Sequence, residues 1–217
     1  MKNVIPFRGV GIPSIRQHLK IWYQTNAIHS MSVEKQFQLA IMFFEQTYAE
    51  DKLAGILFLQ LYLINKIDYQ KVLPKFEYLF KKGLIFDWNI CDWFCVRVLG
   101  PMIKSHGEEC AHQISVWHKA ENIWQAHCSV VVFINFSSNE EYYSMIEKSA
   151  RKLIKRPERF AKTAVGWILR EFSKTDKRFT VSFIQKNSAH FSKESLKNAL
   201  KYFDNSVKLL YLQKFNS

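Results

Sequence analysis

Residues 50–66, EDKLAGILFLQLYLINK, are apolar on nearly every side when wound as a helix. Such a helix cannot lie on a surface with one polar face, so neighbours must cover it all round. Two more helices are read beside it. One covers 33–47, VEKQFQLAIMFFEQT, and the other covers 69–81 and stops at Gly83. A helix pair of this kind cannot bury its apolar faces alone. Stacked neighbours must share one elongated core, which is the logic of an α-solenoid.

The same pattern continues in both directions. Towards the N-terminus, Pro13 opens a helix to Tyr23 with Ile15, Leu19 and Trp22 at helical spacing, and Ser30 or Ser32 caps the next. Towards the C-terminus, a central helix at 88–104 stops near Ser105–His106–Gly107, and helices at 109–119 and 122–136 follow. Ser138 with Glu141 reads as a capping box for a helix reaching Leu153. Pro157 opens a helix at 158–174, another spans 178–186, and Ser192 caps a last helix to Phe203 before a short tail. Pairs recurring about every 35–45 residues, with no alternating strand, predict an all-α chain: a curved α-solenoid forming a single domain over 1–217.

Composition narrows the class further. Only 7 Gly and 5 Pro in 217 residues argue against a turn-rich sheet protein. The four cysteines at 91, 95, 110 and 128 lack C-x-x-C spacing and read as small buried hydrophobes in a reducing compartment. The opening MKNVIPFRGVG has no signal-peptide core, and no stretch approaches the roughly 20 apolar residues of a membrane span. The expectation is an intracellular protein, cytoplasmic or nucleoid-associated, monomeric and without a membrane partner.

Charge is the strongest compositional signal. Between Arg151 and Lys201, fourteen lysines and arginines stand against four acidic residues, so this stretch carries +10 of the chain's net +12. A folded basic face of this kind fits a polyanion, with nucleic acid first and anionic membrane second, or a basic surface with no dedicated partner. Lys162, Arg170, Lys174, Arg178 and Lys186 are the expected backbone contacts, with Arg151, Lys152, Lys155 and Arg156 in reach of a neighbouring stretch.

Chemistry points to 87–100, DWNICDWFCVRVLG. Trp88 and Asp92 are four residues apart and share a helix face. Either Trp88 is core and Asp92 is surface, or the pair is a carboxylate beside an indole in a positive groove. In the second case the carboxylate can stabilise positive charge developing on a sugar ring and steer water to the anomeric carbon. If the leaving base is already cationic, no strong general acid is required. Trp167, flanked by Lys162, Arg170 and Lys174, is a candidate second aromatic wall. His127 reads either as a phosphate or substrate contact or as a structural histidine. The other histidines show no metal-ligand spacing, and there is no phosphate-binding glycine loop or nucleophile elbow. Hydrolysis of a cationic leaving group needs neither metal nor cofactor, and none is expected.

Four segments carry a resemblance. GIPSIRQHL at 11–19, WNICD at 88–92, NIWQAH at 122–127 and above all AVGWILREFSKT at 164–175 resemble the HEAT-like-repeat DNA glycosylases, the AlkD-type DNA alkylation repair family. The likeness runs from about residue 7 to 205. It implies a curved solenoid of HEAT-like repeats with a basic concave face. The implied activity is monofunctional hydrolysis of the glycosidic bond of cationic N3- or N7-alkylated purines in duplex DNA, a step of base excision repair. By match, Asp92 is the catalytic carboxylate and Trp88 and Trp167 are the cleft walls. Two features depart from the pattern. His127 stands where active members have arginine, and the opening motif already lies at residue 11, so shortened N-terminal helices are expected. Both departures favour an alternative, a non-catalytic helical-repeat protein binding distorted or branched DNA. A scaffold for a protein partner is the third reading.

Overall fold

The structure, a computed structural model, describes residues 5–213. Every regular element among them is helical. The chain forms two compact units, Met1–Cys110 and Ala111–Ser217.

The first unit holds α1 (Ile12–Thr25), α2 (Val33–Glu45), α3 (Ala49–Phe58), α4 (Tyr69–Lys81) and α5 (Trp88–Phe94). The long segment α6 (Gly100–Ser115) begins in this unit. Ser32, Asp68 and Asp87 cap α2, α4 and α5 through side-chain oxygens that accept backbone N–H bonds. α3 is covered as its sequence requires, with Leu53, Ile56, Leu57 and Phe58 all buried. The core is aromatic. Phe94 meets Phe76 edge-on at 4.9 Å and Phe44 at 5.9 Å, geometries that suit the ring quadrupoles. Lys52 is buried too, and its ammonium donates to the Phe44 carbonyl near the end of α2.

The central helix expected at 88–104 is not uniform. Cys95–Leu99 forms a π-helical turn in which the Gly100 N–H bonds the Cys95 carbonyl. Pro101 follows directly and has no N–H for the ordinary ladder. The stop expected near Ser105–Gly107 falls at Gly107, whose φ of +70° breaks α6 and suits a residue without Cβ.

The second unit holds α7 (Ile123–Val131), α8 (Tyr143–Leu153), α9 (Arg159–Phe172), α10 (Lys177–Asn187), α11 (Lys193–Ala199) and α12 (Asn205–Leu212). α9 is its centre and packs on α7, α8, α10 and α11. It buries Ala161, Ala164, Val165, Ile168, Leu169 and Phe172 along its inner side. Gly166 lets α11 approach closely, since a Cβ there would meet the Ser195 backbone. Ser192 caps α11 in a reciprocal capping box with Ser195, as its position suggests.

Two expectations are corrected in this unit. No capping box forms at Ser138. A short 3-10 turn, Glu140–Tyr142, leads into α8, and Glu141 instead accepts from Asn139 Nδ2 at 2.9 Å. The expected tail contains α12, whose apolar residues are only partly covered. All four cysteines are buried, and burial pushes the Cys110 thiol up to about 12, far from a reactive thiolate.

Candidate functional site

In the first unit the candidate residues lie on α5. Asp87 Oδ1 accepts from the Asn89 N–H at 2.8 Å and the Ile90 N–H at 3.4 Å, which fixes where the helix begins. Trp88 is therefore the first helical residue, and Asp92 lies one turn on. Ile90, Cys91 and Phe94 point into the core, so Trp88 projects outward and keeps 50% of its surface exposed. Indoles are usually well buried, so a half-exposed one beside a carboxylate is the informative feature of this helix. Asp92 is partly covered. The Arg97 guanidinium lies over the Trp93 ring at 5.1 Å.

The remaining candidates belong to the second unit. Trp167, Arg170, Glu171 and Lys174 follow one another at helical spacing on the partly exposed side of α9 and just past its end. The Arg170 guanidinium lies 5.8 Å from the Trp167 ring centroid. It donates to Glu171 Oε1 at 2.8 Å and to Asn198 Oδ1 at 3.2 Å. Lys174 bonds the other Glu171 oxygen, and its ammonium sits 5.1 Å from the Tyr202 ring centroid. Burial pushes the Glu171 carboxyl up, but the bonds from Lys174 and Arg170 outweigh it and hold the group below its ordinary range.

The other basic candidates are dispersed. Lys162 donates to the His190 carbonyl, Lys186 stands 3.5 Å from Glu147, and Arg178 is exposed in the first turn of α10. Only Arg170 and Lys174 of the five share a network. Arg156 acts as a loop clamp. It donates to the Ala120 carbonyl at 2.7 Å, the Glu121 carbonyl at 3.0 Å and Glu158.

His127 also departs from the reading that puts it on the DNA surface. It is 3% exposed, and its Nδ1 lies 3.1 Å from the Phe160 carbonyl. A carbonyl only accepts, so Nδ1 carries the proton. The alternative, a structural histidine joining α7 to α9, describes this placement better. Trp124 packs on Phe160 at 4.8 Å beside it.

Glu171, Asn198 and Tyr202 were not among the sequence candidates. Glu171 could have been found from its spacing, because an acid between Arg170 and Lys174 on one helix invites bridging. Asn198 and Tyr202 come from α11 and the turn after it, and only the packing of α11 on α9 brings them there.

Among the described residues, no helix is long and apolar enough to cross a membrane. No curated protein shows a significant match to the sequence. A solved structure described as a predicted DNA alkylation repair enzyme from Enterococcus faecalis superposes with a TM-score of 0.79 at 19% identity, covering 93% of this chain and 90% of that one. At that identity the likeness speaks for the fold, an all-α one that agrees with the solenoid expected from the helix pattern. The sequence profile of the DNA alkylation repair enzymes matches residues 1–203, spanning both units, and the chain belongs to that family.

Proposed function

We propose that this member is a monofunctional DNA N-glycosylase that hydrolyses the bond between deoxyribose and a cationic N3- or N7-alkylated purine in duplex DNA. The observation that carries the reading is the outward-facing Trp88 with Asp92 one turn further along α5. The lesion's own positive charge makes the base a good leaving group. The C1′–N bond breaks with its electron pair passing to the base, which departs neutral. The sugar is left with oxocarbenium character, and a carboxylate at Asp92 stabilises that charge and orients the attacking water. The water oxygen bonds C1′ and its proton passes to the carboxylate or to solvent. Trp88 offers a π face to the cationic nucleotide, worth about 0.5–2 kcal/mol when partly desolvated, and Trp167 is a partly exposed indole beside the basic residues of the second unit. Arg170, Lys174, Arg178, Lys162 and Lys186 supply backbone attraction to a protein acting as a monomer.

Incubation with duplex DNA carrying N7-methylguanine and N3-methyladenine tests this, with release of free base as the readout. Wild-type protein is expected to release base and Asp92→Asn to release essentially none while binding the duplex normally. Equal release by Asp92→Asn removes Asp92 from the chemistry.

One observation favours a second reading, a non-catalytic binder of distorted or branched DNA. The buried His127, bonded to the Phe160 carbonyl, provides no permanently charged fork for a phosphate. Tight, salt-sensitive binding of bulges or junctions without base release from either lesion would select it.

A further inference from the structure

We infer that Glu171 is a positioning residue that holds Arg170 and Lys174 in place and partly neutralises them, so that the DNA backbone must compete with an internal carboxylate. The inference rests on the proposal that this face of α9 meets DNA, and it deepens that proposal by naming what limits binding to undamaged duplex.

The geometry is specific. The two carboxylate oxygens are divided between two cations. Oε1 receives Arg170 Nε at 2.8 Å and lies 2.7 Å from Nη2, while Oε2 takes Lys174 Nζ. The Glu171 side chain is 16% exposed, whereas those of Arg170 and Lys174 are 23% and 48% exposed. The acid therefore lies beneath and its cations lie outside it. Its pairs are screened less than ordinary surface pairs, which gives the arrangement more weight than a solvated ion pair would have. Each cation is also held on its far side. Arg170 reaches Asn198 and the Trp167 ring, and Lys174 lies over the Tyr202 ring. The guanidinium's position is thus fixed relative to the indole proposed as a cleft wall.

A repair protein benefits from this arrangement because undamaged sites vastly outnumber lesions. Two unopposed cations would strengthen contact with any duplex. Two cations sharing one carboxylate retain their positions while contributing about one net charge between them.

Equilibrium binding of the full chain to a short undamaged duplex, measured across a salt series, tests the inference. Glu171→Gln is expected to bind several-fold tighter at low salt and to steepen the dependence of log affinity on log salt by about one. Asn198→Asp places a second carboxylate against Arg170 and is expected to weaken binding and make the slope shallower. A merely structural role cannot steepen the slope. Weaker binding by Glu171→Gln at the wild-type slope overturns the inference, as do slopes unchanged in both variants. If Glu171→Gln does not fold, the direction of the Asn198→Asp slope decides. Wild-type protein that binds no duplex overturns the inference together with the DNA-facing reading of α9. Binding with unchanged slopes overturns the inference alone.

Discussion

Gly166 and Ser195 meet backbone to backbone: a β-carbon on Gly166 would lie 2.5 Å from the Ser195 carbonyl oxygen and 3.0 Å from its Cα. Neither partner is a flexible side chain that could swing aside. Ser195 is fully buried and locked in the capping box that starts α11. Gly166→Ala must therefore push α9 and α11 apart, at a cost of about 1–3 kcal/mol. In a chain of this size that lowers the midpoint of thermal unfolding by roughly 2–4 °C per kcal/mol. Trp167 is the next residue, so base release should fall by more than the lost stability accounts for. A melting curve identical to wild type would show that the two helices can separate freely.

Trp88 and Trp117 make a contrasting pair, 50% and 4% exposed. Replacing an indole that faces solvent removes little from the core, so Trp88→Ala should cost about 1 kcal/mol of stability or less. Trp117→Ala should cost about 3–5 kcal/mol. If Trp88 is a cleft wall, its loss should weaken engagement of lesion-bearing duplex by about 2- to 30-fold, the equivalent of one lost cation–π contact. Urea unfolding and duplex titration measure the two effects separately. A large stability loss with unchanged binding would make Trp88 a packing residue.

These contrasts show which features could be read from the sequence. Most of the helices, the caps at Ser32 and Ser192 and the break at Gly107 were legible because each depends on residues a few positions apart. The placement of Trp88 and Asp92 on one helix was legible for the same reason. The burial of His127 was not, because its partner is the backbone of Phe160, 33 residues away, and a carbonyl leaves no mark in the sequence. The loop clamp at Arg156 was not legible for the same reason, since two of its acceptors are the carbonyls of Ala120 and Glu121. The π-turn before Gly100 required knowing that the helix would continue through Pro101.

His118 provides a pH test within the second unit. It is 8% exposed, with Nδ1 2.8 Å from the Ser115 carbonyl and 3.4 Å from Ser149 Oγ. Burial lowers its pKa below the ordinary 6.5, the Ser115 bond opposes that shift, and Lys119, Lys148 and Lys152 add to it. Below the unfolded value the unfolded chain takes up a proton that the native imidazole still refuses. Stability is therefore complete above pH 6.5 and declines as pH falls below it, levelling off past the folded pKa. His118→Gln cannot titrate and should flatten this part of the profile. Urea midpoints at about pH 8 and about pH 5.5 check it. A drop of equal size in both proteins would assign the effect to other groups.

Glu50 fixes a segment 40 residues away in sequence. Its Oε1 accepts the backbone N–H groups of Arg8 and Gly9 at 2.8 Å and of Val10 at 3.1 Å, and the side chain is buried, with the whole residue 5% exposed. Arg8 also pairs with Asp51 at 2.5 Å and lies over the Tyr48 ring. Burial pushes the Glu50 carboxyl up, but the backbone N–H bonds of Arg8, Glu50 itself, Val10 and Gly9 outweigh it and hold the group below its ordinary 4.5. Its contribution is thus present above pH 4.5 and lost as pH falls through the folded value. Glu50→Gln keeps an acceptor but loses the charge, and should cost about 1–3 kcal/mol at neutral pH. The gap between variant and wild type should close in acid. Amide exchange at Arg8, Gly9 and Val10 should accelerate in the variant while the α9 amides stay protected. Unchanged exchange at those three positions would show that the segment is held without the carboxylate.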